Sequence, residues 1–395
     1  MKKKVIIIGP GMEIGGVERS LLGLLDSIDY EKYEVDLFLF SHTGDFISSV
    51  NGNISLMPEN KILSLINQSI IRLIITGHFY VAFVRLCTKI YGELRARFTN
   101  TETMSNTICK KYITKKVTPI SKHYDVALGF FGPHYFLEEK VDADVKIGWV
   151  HTDYSNANEI PDVKYITPMW DKLDAIACVS EGVKNAFDSV FPTLVDKTIV
   201  VENILSPELI RKQADELIPD EMNFDGMKVL SVGRFSTAKN FDNIPEVCSI
   251  LTQKGYMFKW YLIGYGPDEK LIKSKIKEYN MEDYVVLLGK KENPYPYMKN
   301  CDIYAQPSRY EGKAVTVREA QILNKPVMIT RFDTAASQVE EGVDGYICEL
   351  SVDGIADGIE YLINNPDIRN KLIENTKKRD YSNSDQFEKL MELIK

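Results

Sequence analysis

DIYAQPSRYEGKAVTVREAQILNKPVMIT, residues 302–330, holds an apolar run, a Pro-Ser turn, a helical segment and a second apolar run that ends at Thr330. Strand, helix and strand in that order, with strands apolar on both faces, is the pattern of a parallel sheet covered on both sides. The same alternation extends outward from this stretch. VIIIG at 5–9, VALGF at 126–130 and VLSVG at 229–233 read as buried strands separated by helix-like segments. The expected class is therefore α/β with largely parallel sheets.

The apolar pattern predicts strands at 4–9, 34–40, 54–57, 124–130, 145–150, 175–179 and 197–201, with a long helical region from about 61 to 118. A second series follows at 228–232, 258–263, 284–288, 302–305, 326–330 and 345–348. A chain of 395 residues exceeds one ordinary core, so two domains are expected. The tract NILSPELIRKQADELIPDEMNFDG, 203–226, has two prolines, many charges and no strand pattern. It marks the junction, dividing the chain into 1–204 and 205–378, with a polar helical tail at 379–395.

A net charge of −8 gives the whole molecule no electrostatic case for nucleic acid as a partner. The charge is unevenly spread. From Arg72 to Lys122 ten Lys or Arg face only Glu93 and Glu102, so this stretch is +8 and the remainder −16. Its apolar residues, among them Phe79, Tyr80, Phe83, Leu86, Ile90, Tyr91 and Leu94, have helical spacing. Two readings stay open: a helix lying on an anionic membrane surface, or one that buries its apolar face and solvates the basic one. Six scattered cysteines with no CxxC pair read as buried thiols in a reducing compartment. The opening MKKKVIIIGPG reads as a first strand instead of a signal sequence, because its apolar run stops at Gly9. No stretch of eighteen apolar residues is present. The expectation is a cytoplasmic protein, or one peripheral on the inner face of the plasma membrane.

Three segments carry candidate chemistry. SVGRFSTAKN, 231–240, ends a strand at Gly233 and follows it with Arg234 and Lys239, a planar fork and a point charge suited to adjacent phosphates. WYLIGYGPDE, 260–269, runs a strand into Gly264 and Gly266, which suit either close backbone approach to a ligand or a plain tight turn. In 302–330, Glu311 precedes a helix and Glu319 lies within it. The free amides of Ala314, Val315 and Thr316, at the positive end of that helix, offer a seat for a phosphate.

GRF with Lys239-Asn240, the G-x-G turn and EGKAVTVREA together resemble the retaining GT-B glycosyltransferases, whose signature is two glutamates separated by seven residues. PGMEIGGVERSLLGLL resembles their N-terminal glycine loop, and GWVHTDY, ACVSEGVKNAF and VVENI resemble their inter-domain segments, so the likeness covers nearly the whole chain. The resemblance implies two Rossmann-like domains facing a cleft, an N-terminal one for the acceptor and a C-terminal one for a nucleotide diphosphate sugar, UDP-sugar favoured. It implies that the last helix returns to the first domain. Arg234 and Lys239 would hold the diphosphate, Glu319 the ribose hydroxyls and Glu311 the transferred sugar. Gly15 and Gly16 would face the phosphates, and His151 would lie near the donor sugar. Gly233, Gly264, Gly266, Lys290, Gly312, Lys313, Ala314 and Val315 complete the donor-binding set. Many relatives have Gly-Phe-Gly after the first glutamate, whereas here Gly312 is followed by Lys313 and Ala314, so the turn does not specify the donor. The acceptor implied is a saccharide or lipid-linked saccharide.

Physical reasoning supports the same chemistry. Cleaving a sugar–diphosphate bond needs charge stabilisation, and two cations with a helix terminus supply it without a metal. No cofactor is expected. The Asp142-Ala143-Asp144 triplet leads into a strand instead of following one, at the wrong edge for a catalytic cation. GPGMEIGG has Ile14 where a dinucleotide fingerprint needs its third glycine, which argues against a dehydrogenase. A glycosidase would use paired carboxylates but not the phosphate cations. A catalytically degenerate GT-B module partnering another transferase, and a nucleotide-sugar epimerase or hydrolase on the same fold, are the alternatives.

Overall fold

The computed structural model describes residues 2–13, 16–50, 52–66, 68–99, 105–132, 134–151, 154, 163–311 and 313–393. The chain divides into two units, Met1–Ile204 with Ser384–Lys395, and Leu205–Asn383. Each is built on its own parallel sheet.

In the first unit β1 (Lys3–Gly9), β2 (Tyr33–Leu39), β3 (Ser55–Leu56), β4 (His123–Gly129), β5 (Asp142–Val150), β6 (Ala175–Cys178) and β7 (Thr198–Val200) form one sheet. Its order is β3-β2-β1-β4-β5-β6-β7, every pair parallel. Val5, Ile6 and Ile7 are fully buried because β1 is central and helices cover both of its faces. The segment read as helical from 61 to 118 is broken into helices Ile70–Ile75, Phe79–Thr99 and Ser105–Thr114. Gly77, at φ 79°, ends the first of these. His78 N bonds Leu73 O at 2.8 Å and Gly77 N bonds Ile74 O at 3.1 Å, the paired closure that a left-handed glycine permits. The last helix, Asp385–Leu393, belongs to this unit. Phe387 meets the Tyr33 ring edge-on at 5.2 Å, and Tyr33 Oη donates to Glu388 at 3.2 Å.

The second unit carries β8 (Met227–Val232), β9 (Phe258–Ile263), β10 (Val285–Gly289), β11 (Ile303–Gln306), β12 (Val327–Thr330) and β13 (Tyr346–Cys348). Their order is β10-β9-β8-β11-β12-β13, again all parallel. Side chains alternate between two cores. Leu230, Tyr261, Ile263 and Tyr304 enter one, while Val229, Trp260, Leu262 and Ile303 enter the other. Ser231 is tolerated at full burial because its hydroxyl donates to Ala305 O and accepts from Trp260 Nε1 at 2.9 Å. The tract 203–226 is not a bare linker: helix Pro207–Ala214, capped by Ser206, buries Ile210 and Ala214 in the second unit's core.

Both sheets reverse winding direction beside their first strand, between β1 and β4 and between β8 and β11. Open α/β sheets bind ligands outside the carboxyl ends of the strands at such points.

Candidate functional site

In the second unit, β8 ends at Val232 and β11 at Gln306, so Gly233-Arg234 and Pro307-Ser308 emerge together at the switch point. The loop after β8 is held by three backbone bonds. Gly233 N reaches Ile263 O at 3.0 Å, Phe235 N reaches Tyr265 O at 2.9 Å, and Asp268 N reaches Phe235 O at 3.1 Å. This crossing requires the two glycines after β9. A Cβ on Gly264 would stand 1.8 Å from Gly233 O, and one on Gly266 would stand 2.2 Å from Phe235 O. Their first duty is thus to let two loops touch, with the ligand-facing groups carried by the loop they support.

Lys239 ends a 3-10 turn, Thr237–Lys239, and is followed by a left-handed Asn240 at φ 60°. Its ammonium donates to Glu311. Gly233 leaves room for its stem, since a Cβ there would lie 3.2 Å from Lys239 Cε. Glu311 also accepts from Ser308 Oγ at 2.7 Å, and its backbone carbonyl accepts from Thr334 Oγ1 at 2.7 Å. A buried relay stands behind it, with Tyr304 Oη donating to Gln306 at 2.9 Å and Gln306 Nε2 to Ser308 Oγ at 3.0 Å. Burial drives the Tyr304 phenol well above its ordinary pKa, so it remains a donor.

Arg309 joins the two loops. Its guanidinium forms a fork on Asp242 at 2.8 and 2.9 Å and also donates to Thr237 O at 2.7 Å. Burial alone would raise the Asp242 pKa, but the hydrogen bonds and charge of Arg309, with Lys275, hold it below the ordinary value. The Arg234 side chain is exposed and makes no hydrogen bond or ion pair among the described residues.

Glu319 is buried inside helix Val315–Ile322 and accepts from Tyr295 Oη at 2.7 Å. One expectation is corrected at this helix. The Ala314 amide is not free: it donates to Gln338 Oε1 at 2.8 Å, so a side chain from a neighbouring segment supplies the cap that no local residue provides. Only the amides of Val315 and Thr316 remain candidates for a phosphate seat. Lys290 is exposed, its ammonium 5.8 Å from the Tyr265 ring centroid, and Lys313 is partly buried. Gly312 lies outside the described residues, as do Gly15 and Asp153.

In the first unit Gly16 opens helix Gly16–Ser27 and is exposed, and a Cβ there would meet none of the described residues within 4 Å. Packing does not demand a glycine at this position. His151 directly follows β5, its ring stacked 6.3 Å from Trp149 and tilted 57° against Phe130 at 4.8 Å. Its Nε2 is buried with no hydrogen-bond partner among the described residues. Loss of hydration pushes its pKa down to about 4, against a backbone hydrogen bond with Phe130 that works the other way, so the ring is neutral at physiological pH. Beside it His134, fully buried against Trp170 with Nε2 3.3 Å from Trp149 O, is pushed down to about 3. Asp142 and Asp144 lie at the opening of β5, where His123 bridges them at 3.0 and 3.3 Å, at the strand end remote from His151.

Sequence reasoning missed Ser308, Arg309, Asp242, Gln338, Tyr295 and His134. Ser308 and Arg309 lie within the quoted PSRYEG and could have been suspected. Gln338 and Tyr295 act only through distant pairing, which leaves no local signal.

Residues 215–379 match the family model described as Glycosyl transferases group 1. A glycosyltransferase of Methanocaldococcus jannaschii is 30% identical over 217 residues, 54% of this chain and 56% of that protein. The capsular polysaccharide biosynthesis glycosyltransferase CapM of Staphylococcus aureus is 30% identical over 157 residues, 39% of this chain and 41% of that protein. The chain spans about half the length of the curated relatives it matches. Among solved structures, Anabaena HepE in complex with UDP and glucose superposes with a TM-score of 0.64 at 14% identity, covering 99% of both chains. A mutant of S. aureus TarM in complex with fondaparinux, alpha-GlcNAc-glycerol and UDP gives 0.65 at 14%, also covering 99% of both. The second unit thus resembles a group 1 glycosyl transferase domain over residues 215–379, and the chain has the two-domain fold known as GT-B.

Proposed function

We propose that this protein is a retaining glycosyltransferase that moves a hexose-type sugar from a nucleotide diphosphate donor, UDP-sugar before GDP-sugar, to a saccharide or lipid-linked acceptor in cell-surface polysaccharide synthesis. One observation carries the proposal. At the β8–β11 switch point an uncommitted guanidinium, Arg234, stands five residues from an ammonium, Lys239, that is already aimed at the carboxylate of Glu311. Two cations there suit a diphosphate, and a carboxylate beside them suits sugar hydroxyls. The relatives and the UDP-bound neighbours support the donor class and the polysaccharide setting.

In this reading the departing diphosphate oxygen develops charge, which Arg234 and Lys239 stabilise along with the dipole of helix Val315–Ile322. Glu311 holds the transferred sugar and Glu319 the ribose hydroxyls, with Tyr295 fixing the Glu319 carboxylate. Gly233, Lys290 and Lys313 line the donor site. In the first unit Gly16 admits close approach of a phosphate, and His151 Nε2, without a partner among the described residues, offers a neutral ring to a substrate hydroxyl. The acceptor oxygen bonds to the anomeric carbon from the face that the diphosphate leaves, the sugar–phosphate bond breaks, and the acceptor proton passes to the leaving phosphate, so configuration is retained without a covalent intermediate. No metal is needed, because the protein's own cations do its work. Transfer takes place in the cytoplasm, and for a lipid-linked acceptor at the inner face of the plasma membrane.

The test is purified protein with a panel of UDP-, GDP- and ADP-sugars. Binding of one donor with slow hydrolysis, unchanged by a chelator, is expected. Neither binding nor hydrolysis across the panel would overturn the transferase reading. A free epimeric sugar as the only product would replace it with an epimerase.

A further inference from the structure

Helix Phe79–Thr99 is apolar on opposite faces. Val81, Val84 and Thr88 are buried in the first unit, as the packing of a three-helix layer requires. On the other side Phe79, Phe83, Leu86, Ile90 and Leu94 recur at steps of four, three, four and four residues, so they form one stripe. That stripe is exposed, with Phe79 and Phe83 each 66% accessible. The preceding helix, Ile70–Ile75, packs against this one and adds Ile71 and Ile75, the latter 79% accessible. Scattered apolar residues on a surface need no explanation, but an ordered stripe continued onto a second helix does.

The rim of this face is aromatic and cationic. Tyr80 Oη donates to Tyr112 O at 3.4 Å, Lys116 Nζ stands 5.8 Å from the Tyr80 centroid, and Lys115 Nζ stands 5.3 Å from that of Tyr112. Lys89 is exposed on the same helix as the stripe. We infer that this face docks on an anionic lipid surface, the stripe entering the interfacial layer and the lysines meeting the headgroups. Charge decides against a second copy of the chain. An isologous contact would set Lys89, Lys115 and Lys116 of one copy against the same lysines of another, whereas anionic lipid neutralises them. Among the described residues no helix is long and apolar enough to cross a membrane, so the face lies on the bilayer.

The inference deepens the proposed use of a lipid-linked acceptor. Helix Ser105–Thr114, packed on the striped helix, carries Lys110 to within 3.5 Å of Gly132 O, just past the carboxyl end of β4. The docking face is thereby tied to the edge of the first unit that bears His151.

The test is co-sedimentation of the full chain, without donor, with vesicles of phosphatidylcholine alone or with roughly one quarter phosphatidylglycerol. Binding to the second only, and its loss at high salt, is expected. The bound fraction should fall at least about tenfold in Phe83→Ser/Ile90→Ser and in Lys89→Glu/Lys115→Glu/Lys116→Glu, with thermal stability and transfer to a soluble acceptor retained. Absence of binding by the well-folded wild type overturns the inference, as does undiminished binding by both variants. A wild-type dimer that Phe83→Ser/Ile90→Ser converts to monomer, without vesicle binding, assigns the face to a second copy instead. Since the readout needs no donor, an inactive protein that still sediments would defeat the transferase proposal and leave this one standing.

Discussion

Arg234 and Lys239 are five positions apart in sequence but differ in commitment, since the first is exposed and unpaired among the described residues and the second is held by Glu311. Arg234→Ala should therefore leave the fold untouched while lowering kcat/KM by about two to three powers of ten, equivalent to about 3–4 kcal/mol. Steady-state kinetics beside a thermal melt checks both halves, and an unchanged rate would remove Arg234 from the reaction. The glycines divide in the same way. Gly264→Ala should cost at least about 2 kcal/mol by denaturant unfolding, because its Cβ would enter Gly233 O and its φ of 151° is adverse to other residues. Gly16→Ala meets no atom, so stability should stay within about 0.5 kcal/mol while donor turnover falls. Full turnover in that variant would mean that no ligand approaches the backbone there. Residue types at strand ends made Arg234, Lys239 and Glu311 legible, whereas the reason for Gly264 was not, because the atom it must avoid comes from another loop.

Among elements, the decisive contact is the Arg309 fork on Asp242, which joins the loop after β8 to the loop after β11. Asp242→Asn keeps the shape and removes the charge that the fork pairs with, for an expected loss of about 1–3 kcal/mol. Lys239 and Glu311 sit on the two loops so joined, so KM for the donor should rise in the same variant. A stable Asp242→Asn protein with unaltered donor KM would show that the clip does not position the site. Helix Val315–Ile322 was readable from its period, and its position after β11 from the strand pattern. Its cap was not, because Gln338 lies far along the chain and a glutamine carries no capping signal of its own. The same limit explains the long helical expectation over 61–118: apolar spacing persists through Gly77, and only the hydrogen-bonded closure at His78 shows where the helix stops.

For the whole molecule, pH offers a test of the buried first-unit core. His134 and His151 have folded pKa values of about 3 and about 4, both below the ordinary 6.5 because burial removes hydration from the charged ring. The unfolded chain takes up these protons below about 6.5 while the folded one does not. Stability is thus full above that pH and falls as pH drops towards 4, by up to about 1.4 kcal/mol per pH unit for each ring. His134→Gln should flatten the decline between about pH 6.5 and 4 in urea unfolding. An identical slope would assign the decline to carboxylates. At this scale the sequence by itself determined the class and the strand inventory, since continuous apolar runs between helical segments suit only strands covered on both faces. It also determined which residue types stand at the strand ends. The tertiary structure alone decided the order β10-β9-β8-β11-β12-β13, which brings the ends of β8 and β11 side by side. It alone decided that the stripe from Phe79 to Leu94 faces outward. Periodicity states that a helix has an apolar side, but only packing states whether anything covers it.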